Sequence, residues 1–396
     1  VTVAERGEIA LAPPSSILAP RRERWFLLGL GLALFGGAAA LARYGLDPSD
    51  EGYIVYSAVE VAAGRVPYRD LNSLYTPLSW YLHAALFKLV GVDLLALRLW
   101  FSVVAAALAV GVYVHARQLM PPALAVLPLV TFVLLFPVPP NWAPYPGWYA
   151  LGGLLVSLVA LGHWCQDRRR RWLIATGAGC AVAFACKSNL GLLGLMACCG
   201  FLVLQADRLF GMPAAAWLRA GQLTVVAVCG AALWLVVRGV ATPGNVVLFV
   251  GPVLLVGVLL AAGRGAPSAT RGRCAPVSPP LTPLSGSSSG RLEPLLAQPG
   301  ALRALTALVT ANAWIVLTFL VCTLPWYLAL SAVAGWQLTF DSVFVAGART
   351  AWAFYEPIVP PNRDALEAIL WIVAGGGLLA GFGWLADRGR LSARRV

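Results

Sequence analysis

The stretch that decides the reading is "DPSDEGYIVYSAVEVAAGRVPYRD", Asp47 to Asp70. It gathers Asp47, Asp50, Glu51, Glu60 and Asp70 in a chain that is otherwise sparing with acids, and apolar runs flank it on both sides. Between the acids, Tyr53, Tyr56, Ala58, Val59 and Ala62 recur at helical spacing, which predicts an amphipathic helix opening near Asp50. Ser49 or Asp50 is placed to cap it, because a side-chain oxygen there satisfies backbone N–H groups that lack a partner in the first turn. Gly64 then ends the helix and "RVPY" turns the chain.

The flanking runs set the class. Of 396 residues, 59% are hydrophobic and 12% charged, with a mean hydropathy of +0.77, far from the balance of soluble globular domains. A helix needs about 20 apolar residues to cross the hydrocarbon core, and on that measure the sequence predicts about ten spans. They lie near 25–44, 95–115, 122–137, 147–163, 172–187, 190–206, 220–238, 246–263, 304–325 and 365–386. The shorter ones need local thinning or support from neighbours. Residues 77–90, bounded by Pro77 and Gly91, are too short to span and read as a helix in the outer interface. The expectation is an all-α polytopic membrane protein in one membrane domain over 1–396. The first apolar run follows "RRER" at 21–24, yet it is too long for a signal sequence and reads as a retained helix.

Lys and Arg in short loops set orientation, since cytoplasmic loops carry the positive excess. With a cytoplasmic tail over 1–24, that side also receives Arg117, Arg168 to Arg171, Arg208, Arg219, the Pro/Ser/Gly/Arg-rich segment 264–302 and a basic tail over 387–396. Segment 264–302 cannot bury a core and reads as a disordered linker. The net charge of +12 is therefore topological, with attraction to anionic membrane lipids in addition, and calls for no nucleic acid. The acid-rich loop 46–93 and the segments 138–146, 187–190, 238–245 and 326–364 fall on the opposite, extracytoplasmic side of a cell (inner) membrane.

The run "DEGYIVYSAVEVAAGRVPYRDLNSLYTPLSWYLHAALFKLVG" followed by "LLALRLWFSVV" resembles the first outer loop and second span of GT-C fold glycosyltransferases, nearest to glycosyltransferase family 39. That family includes the protein O-mannosyltransferases and the aminoarabinose lipid A transferases. The shared pattern is the pair Asp50-Glu51, a Tyr-rich helix, Gly64 to Asp70, and Pro77 opening a second interfacial helix. A second run, "GAGCAVAFACKSNLGLLGL" at 177–195, is similar to a Gly, Lys and Asn pattern in such enzymes. The resemblance implies transfer of a sugar from a polyprenyl-phosphate donor to an extracytoplasmic lipid, polysaccharide or protein acceptor.

It implies roles as well. Asp50 would be the base that takes the acceptor hydroxyl's proton, a task for a carboxylate within hydrogen-bond reach. Glu51 and Asp70 would orient the acceptor or assist. The departing lipid phosphate needs cations; Arg65, Arg69 and Arg98 are nearest, and a planar guanidinium fits phosphate oxygens two at a time. Lys187, ending an apolar segment beside Ser188 and Asn189, is a further candidate, since an ionisable group at membrane depth points to function. Tyr75-Thr76-Pro77 stands where relatives carry Lys-Pro-Pro or His-Pro-Pro, so the chain either ligates the donor phosphate differently or binds a different donor. The chain is short for the family.

The remaining motifs are read as structural. His83, His115 and His163 sit on separate segments without ligand spacing, so no metal site is indicated, although a divalent ion brought with the donor stays open. The cysteines form no Cys-x-x-Cys and suggest no disulfide framework. "PVPPNWAPYPGWY" at 137–149 reads as an aromatic loop at the interface. The competing classes are a lipid or solute transporter or flippase, which would carry internal repeats and charges near the midplane, and an inactive GT-C-like partner subunit.

Overall fold

The computed structural model describes residues 21–45, 50–73, 75–135, 143–212, 216–237 and 299–345, with isolated positions at 251, 253 and 255. Among these every regular element is helical; the one extended pairing is an isolated bridge between Pro67 and Leu71. In chain order the helices are α1 (Arg21–Leu41), α2 (Asp50–Ala62), α3 (Leu78–Val90), α4 (Leu94–Leu119), α5 (Pro122–Leu135) and α6 (Pro146–Asp167). They continue with α7 (Arg170–Cys186), α8 (Ser188–Leu204), α9 (Ala206–Phe210), α10 (Ala216–Val237), α11 (Pro299–Ala334) and α12 (Trp336–Phe340), followed by a π turn over Asp341–Val345.

The boundaries follow local chemistry. Asp93, in an extended conformation, accepts the Leu95 N–H at 2.9 Å and opens α4. Pro146 occupies the first turn of α6, where its missing N–H is harmless. Lys187, extended at φ −152° and ψ 102°, is both the end of α7 and the start of α8, so the chain reverses there without a loop. That reversal needs Gly191: a Cβ on it would collide with the backbone of Phe184.

The chain divides into two compact units, 1–222 with 267–347 and 223–266 with 348–396. In the first, α1 and α4 run antiparallel. Arg117 donates to Glu23 at 2.8 Å at one end, and Arg98 reaches the carbonyls of Ala42 and Gly45 at the other. Gly153 of α6 and Gly179 of α7 let those two helices meet backbone to backbone. The main core joins α6, α7, α8 and α11 through Trp164, Phe184, Leu202, Ile315 and Phe319, and a second core under α2 and α3 is built on Ile54, Ala58, Trp80 and Leu97. In the second unit the described residues are the later part of α10 and the isolated positions, with Gly230 facing Val253.

Among the described residues four helices are long and apolar enough to cross a membrane: Glu23–Leu41, Leu94–Leu119, Pro146–Asp167 and Gly300–Ala334. They expose Leu32, Val103, Val156 and Val321, so their outward faces are as apolar as their packed ones. This is a helical membrane protein. The expected count of ten is not reached among the described residues. At 14 residues α5 spans only about 21 Å of a core about 30 Å thick, and α7 and α8 have 17 residues each. The expected spans 246–263 and 365–386 lie outside the described residues, isolated positions apart.

Several boundaries differ from the sequence reading. The first helix begins at Arg21 and takes in the basic residues assigned to the tail. α11 begins at Pro299, inside the segment read as linker, and runs through Pro325 to Ala334, inside the segment read as loop from 326. Its interior proline does not end it because apolar packing on both sides holds the helix together. Finally, Trp148 and Tyr149 lie in α6, as the expected span from 147 has them and not as the loop reading of 137–149 does, and Tyr149 is buried.

Candidate functional site

Asp50 is the first residue of α2 and is half-buried, where free backbone N–H groups and the helix dipole favour a carboxylate. Ser49, the alternative cap, lies outside the described residues. The face that α2 buries is Glu51, Ile54, Ser57, Ala58 and Val61, whereas Tyr56 is 58% exposed. The expected Tyr56-containing stripe is thus rotated. A carboxylate turns inward because its cation waits there.

That cation is Arg98. Its Nε donates to Glu51 Oε1 at 2.7 Å and its Nη2 to Oε2 at 2.5 Å. Nη1 also donates to the carbonyls of Ala42 and Tyr44, and Nη2 to that of Gly45. The guanidinium therefore closes the carbonyl end of α1 while neutralising a buried acid. This corrects two expectations. Arg98 is occupied within the fold rather than offered to a phosphate, and Glu51 is a buried partner rather than a group facing substrate.

The loop after α2 is tightly built. Gly64, at φ 92°, lets its own N–H reach Val61 O and the Arg65 N–H reach Glu60 O, closing the helix in a Schellman arrangement. Asp70 accepts the Val66 N–H at 2.8 Å and both Arg69 Nε and Nη2, at 3.0 and 2.8 Å. The Arg69 fork and the Val66 N–H hold its carboxyl down at about 2, too weakly basic to take a hydroxyl proton near neutrality. Asp70 is a loop clamp, and Arg69 is its partner. Arg65 is exposed and pairs loosely with Glu60 at 3.6 Å. Tyr68, at φ 72°, is a bulky residue in the left-handed region. It is held there by burial, which also pushes its phenol up, and by donation from its hydroxyl to Tyr75 O at 3.1 Å.

Beyond the loop, Ser73 accepts the Trp80 indole N–H at 3.0 Å, and Trp80 meets Tyr53 and Tyr75 edge-on. The Lys187 ammonium lies 5.7 Å above the Tyr75 ring and close to Gly147 at the start of α6. Thr76, whose side chain is buried, donates to Phe184 O at 2.6 Å, three positions before Lys187. Ser188 donates to Val343 O at 2.6 Å, which brings in the segment after α12. Asn189 is exposed, and its side chain accepts the adjacent Leu190 N–H.

So the fold brings Tyr75 and Lys187 together beside Trp80 and Tyr53, and Asp50 opens the helix that carries Tyr53. It does not bring Glu51, Arg98, Asp70 or Asn189 there. Sequence reasoning missed the role of Thr76, which no spacing argument reveals. It also missed the chain in which Trp100 Nε1, from an exposed ring, donates to buried Tyr149 Oη at 3.1 Å and Tyr149 Oη meets buried His83 Nε2 at 2.7 Å. His83 on a helix with an apolar buried face was the available signal. Among the described residues no three His, Cys, Asp or Glu side chains converge. No family model matches the chain, and comparison with characterised proteins and with solved structures finds no significant similarity.

Proposed function

We propose that this chain is a membrane glycosyltransferase of the GT-C kind, moving a sugar from a polyprenyl-phosphate donor to a lipid, glycan or protein acceptor outside the cytoplasm. The observation that carries the reading is the junction of Thr76 with Phe184 and of Tyr75 with Lys187. It joins, across 108 positions, the two stretches on which the family resemblance rests. Chance likeness of two separate runs gives no reason for them to meet.

In this reading the acceptor oxygen attacks the anomeric carbon while the bond from that carbon to the donor phosphate oxygen breaks. Asp50 takes the acceptor's proton, and Lys187 stabilises the departing polyprenyl phosphate as a point charge. Tyr75 positions Lys187 through its ring face. Ten spans and a cytoplasmic N-terminus complete the topology. In support of that orientation, the end with Asp50, Asp70 and Lys187 balances Glu51, Glu60, Asp93 and Asp341 against Arg43, Arg65, Arg69, Lys88 and Arg98, while the opposite end gathers Arg117, Arg168 to Arg171, Arg208 and Arg303.

The test is turnover in nanodiscs with a panel of polyprenyl-phosphate sugars and envelope extract as acceptor. Wild type is expected to release polyprenyl phosphate; Asp50→Asn is expected to bind donor but lose roughly 10²–10⁴-fold in rate. An active wild type matched by Asp50→Asn removes the base assignment. A wild type that binds no donor removes the enzyme reading and points to lipid transport or a partner subunit.

A further inference from the structure

At the end of the helices away from Lys187, the turn from α6 to α7 reads Asp167-Arg168-Arg169-Arg170-Arg171-Trp172. Three of these guanidinium groups are laid on aromatic faces drawn from four helices. Arg168 lies 4.5 Å over the Trp164 ring and 5.9 Å from Phe210 of α9. Arg170 lies 3.8 Å over Trp314 of α11, and Arg171 4.7 Å over Trp172. The turn's own carboxylate is taken: Asp167 accepts the Arg169 N–H at 3.0 Å and the Trp172 indole N–H at 2.9 Å, and pairs with Arg169 Nε at 3.6 Å. Among the described residues no carboxylate lies within ion-pair distance of Arg168, Arg170 or Arg171.

A guanidinium held over a ring by its charge still has N–H groups to offer a second partner, and paired guanidinium N–H groups grip phosphate oxygens. Arg168 adopts a left-handed φ of 58° as the C-cap of α6, its N–H donating to Trp164 O. α7 begins with Arg170 and Arg171 and has no side-chain cap, although a helix start favours negative charge.

Below the arginines the surface changes character at once. Arg171, Ile174, Ala178 and Val182 form one outward stripe on α7, with Ile174 37% and Val182 44% exposed. A cation at the head of an apolar track matches an amphiphile rather than a soluble anion. We infer that the α6–α7 turn binds the headgroup phosphate of an anionic phospholipid, with Arg168, Arg170 and Arg171 on the phosphate and the acyl chains along Ile174 and Val182.

The experiment titrates the full chain in detergent with phosphatidylglycerol or phosphatidylcholine and reads bound lipid by native mass spectrometry. Wild type is expected to retain phosphatidylglycerol in preference. Joint replacement Arg168→Gln, Arg170→Gln and Arg171→Gln is expected to weaken retention roughly tenfold or more. Arg169→Gln, whose side chain serves Asp167, is expected to stay near wild type. Trp314→Leu keeps every charge and removes only the platform under Arg170, so a partial loss is expected there. If the triple variant does not fold, Arg170→Gln alone is read against Arg169→Gln. Equal retention of the two lipids, or unchanged retention when the stacked arginines are replaced, overturns the inference. So does displacement of the lipid by millimolar inorganic phosphate, which would make this an ion site.

Discussion

Glu51 and Arg98, 47 positions apart, form a buried two-point ion pair whose guanidinium also closes the carbonyl end of α1. Side-chain exposure is 4% for Arg98 and 1% for Glu51, so neither charge has water to fall back on. Breaking a buried pair from one side leaves an uncompensated charge, at a cost of about 3–5 kcal/mol. Arg98→Ala is therefore expected to lower stability by that order, and Glu51→Gln, which keeps the shape and several hydrogen bonds, by less. Unfolding midpoints of the two variants in one detergent check the ranking.

His83 gives the protein an acid sensitivity. Burial pushes its imidazole down to about 3, against about 6.5 in an unfolded chain. Between those values the unfolded state binds a proton that the native state refuses, so stability falls as pH falls, by roughly 1.4 kcal/mol per pH unit. His83→Phe is expected to flatten that slope between about pH 6.5 and 4. A variant whose melting temperature tracks wild type across this range would show that His83 does not carry the sensitivity.

Asp70 acts in the same sense over a lower window. Its carboxyl is held to about 2, below the unfolded value of about 3.9, mainly by the Arg69 fork and then by the Val66 N–H. The clamp is complete above the unfolded value and is lost as pH falls through the folded one. In hydrogen exchange near neutrality, Asp70→Asn is expected to speed exchange at Val66 and leave α2 protected. Unchanged protection at Val66 would remove the clamp.

The reversal at Lys187 depends on close contact between α8 and α7. Gly191→Ala places a methyl against the Phe184 backbone, and overpacking of this kind costs about 1–3 kcal/mol. Gly221→Ala in α10, with open space around it, is the matched control and is expected to be neutral or slightly stabilising. Equal melting midpoints for the two variants would contradict the tight hairpin. Because Phe184 O holds Thr76, Gly191→Ala is also expected to disturb the Tyr75–Lys187 contact.

What the sequence by itself determined was local or one-dimensional. Apolar length marked most of the described helices, because crossing a bilayer demands a minimum run whatever the helix packs against. The ends of α2 and α3 were legible at Asp50, Gly64 and Pro77, since capping and turn chemistry act within a few residues. What only the tertiary structure decided were the partners. Nothing near Glu51 in the chain announces that it turns inward to an arginine 47 positions on. Thr76 became a tie only when Phe184 was seen beside it, and Arg170 of the α6–α7 turn acquired its platform only from Trp314 of a distant helix. Burial and pairing are properties of surfaces that meet, and the composition of a single segment cannot specify which surface it will meet.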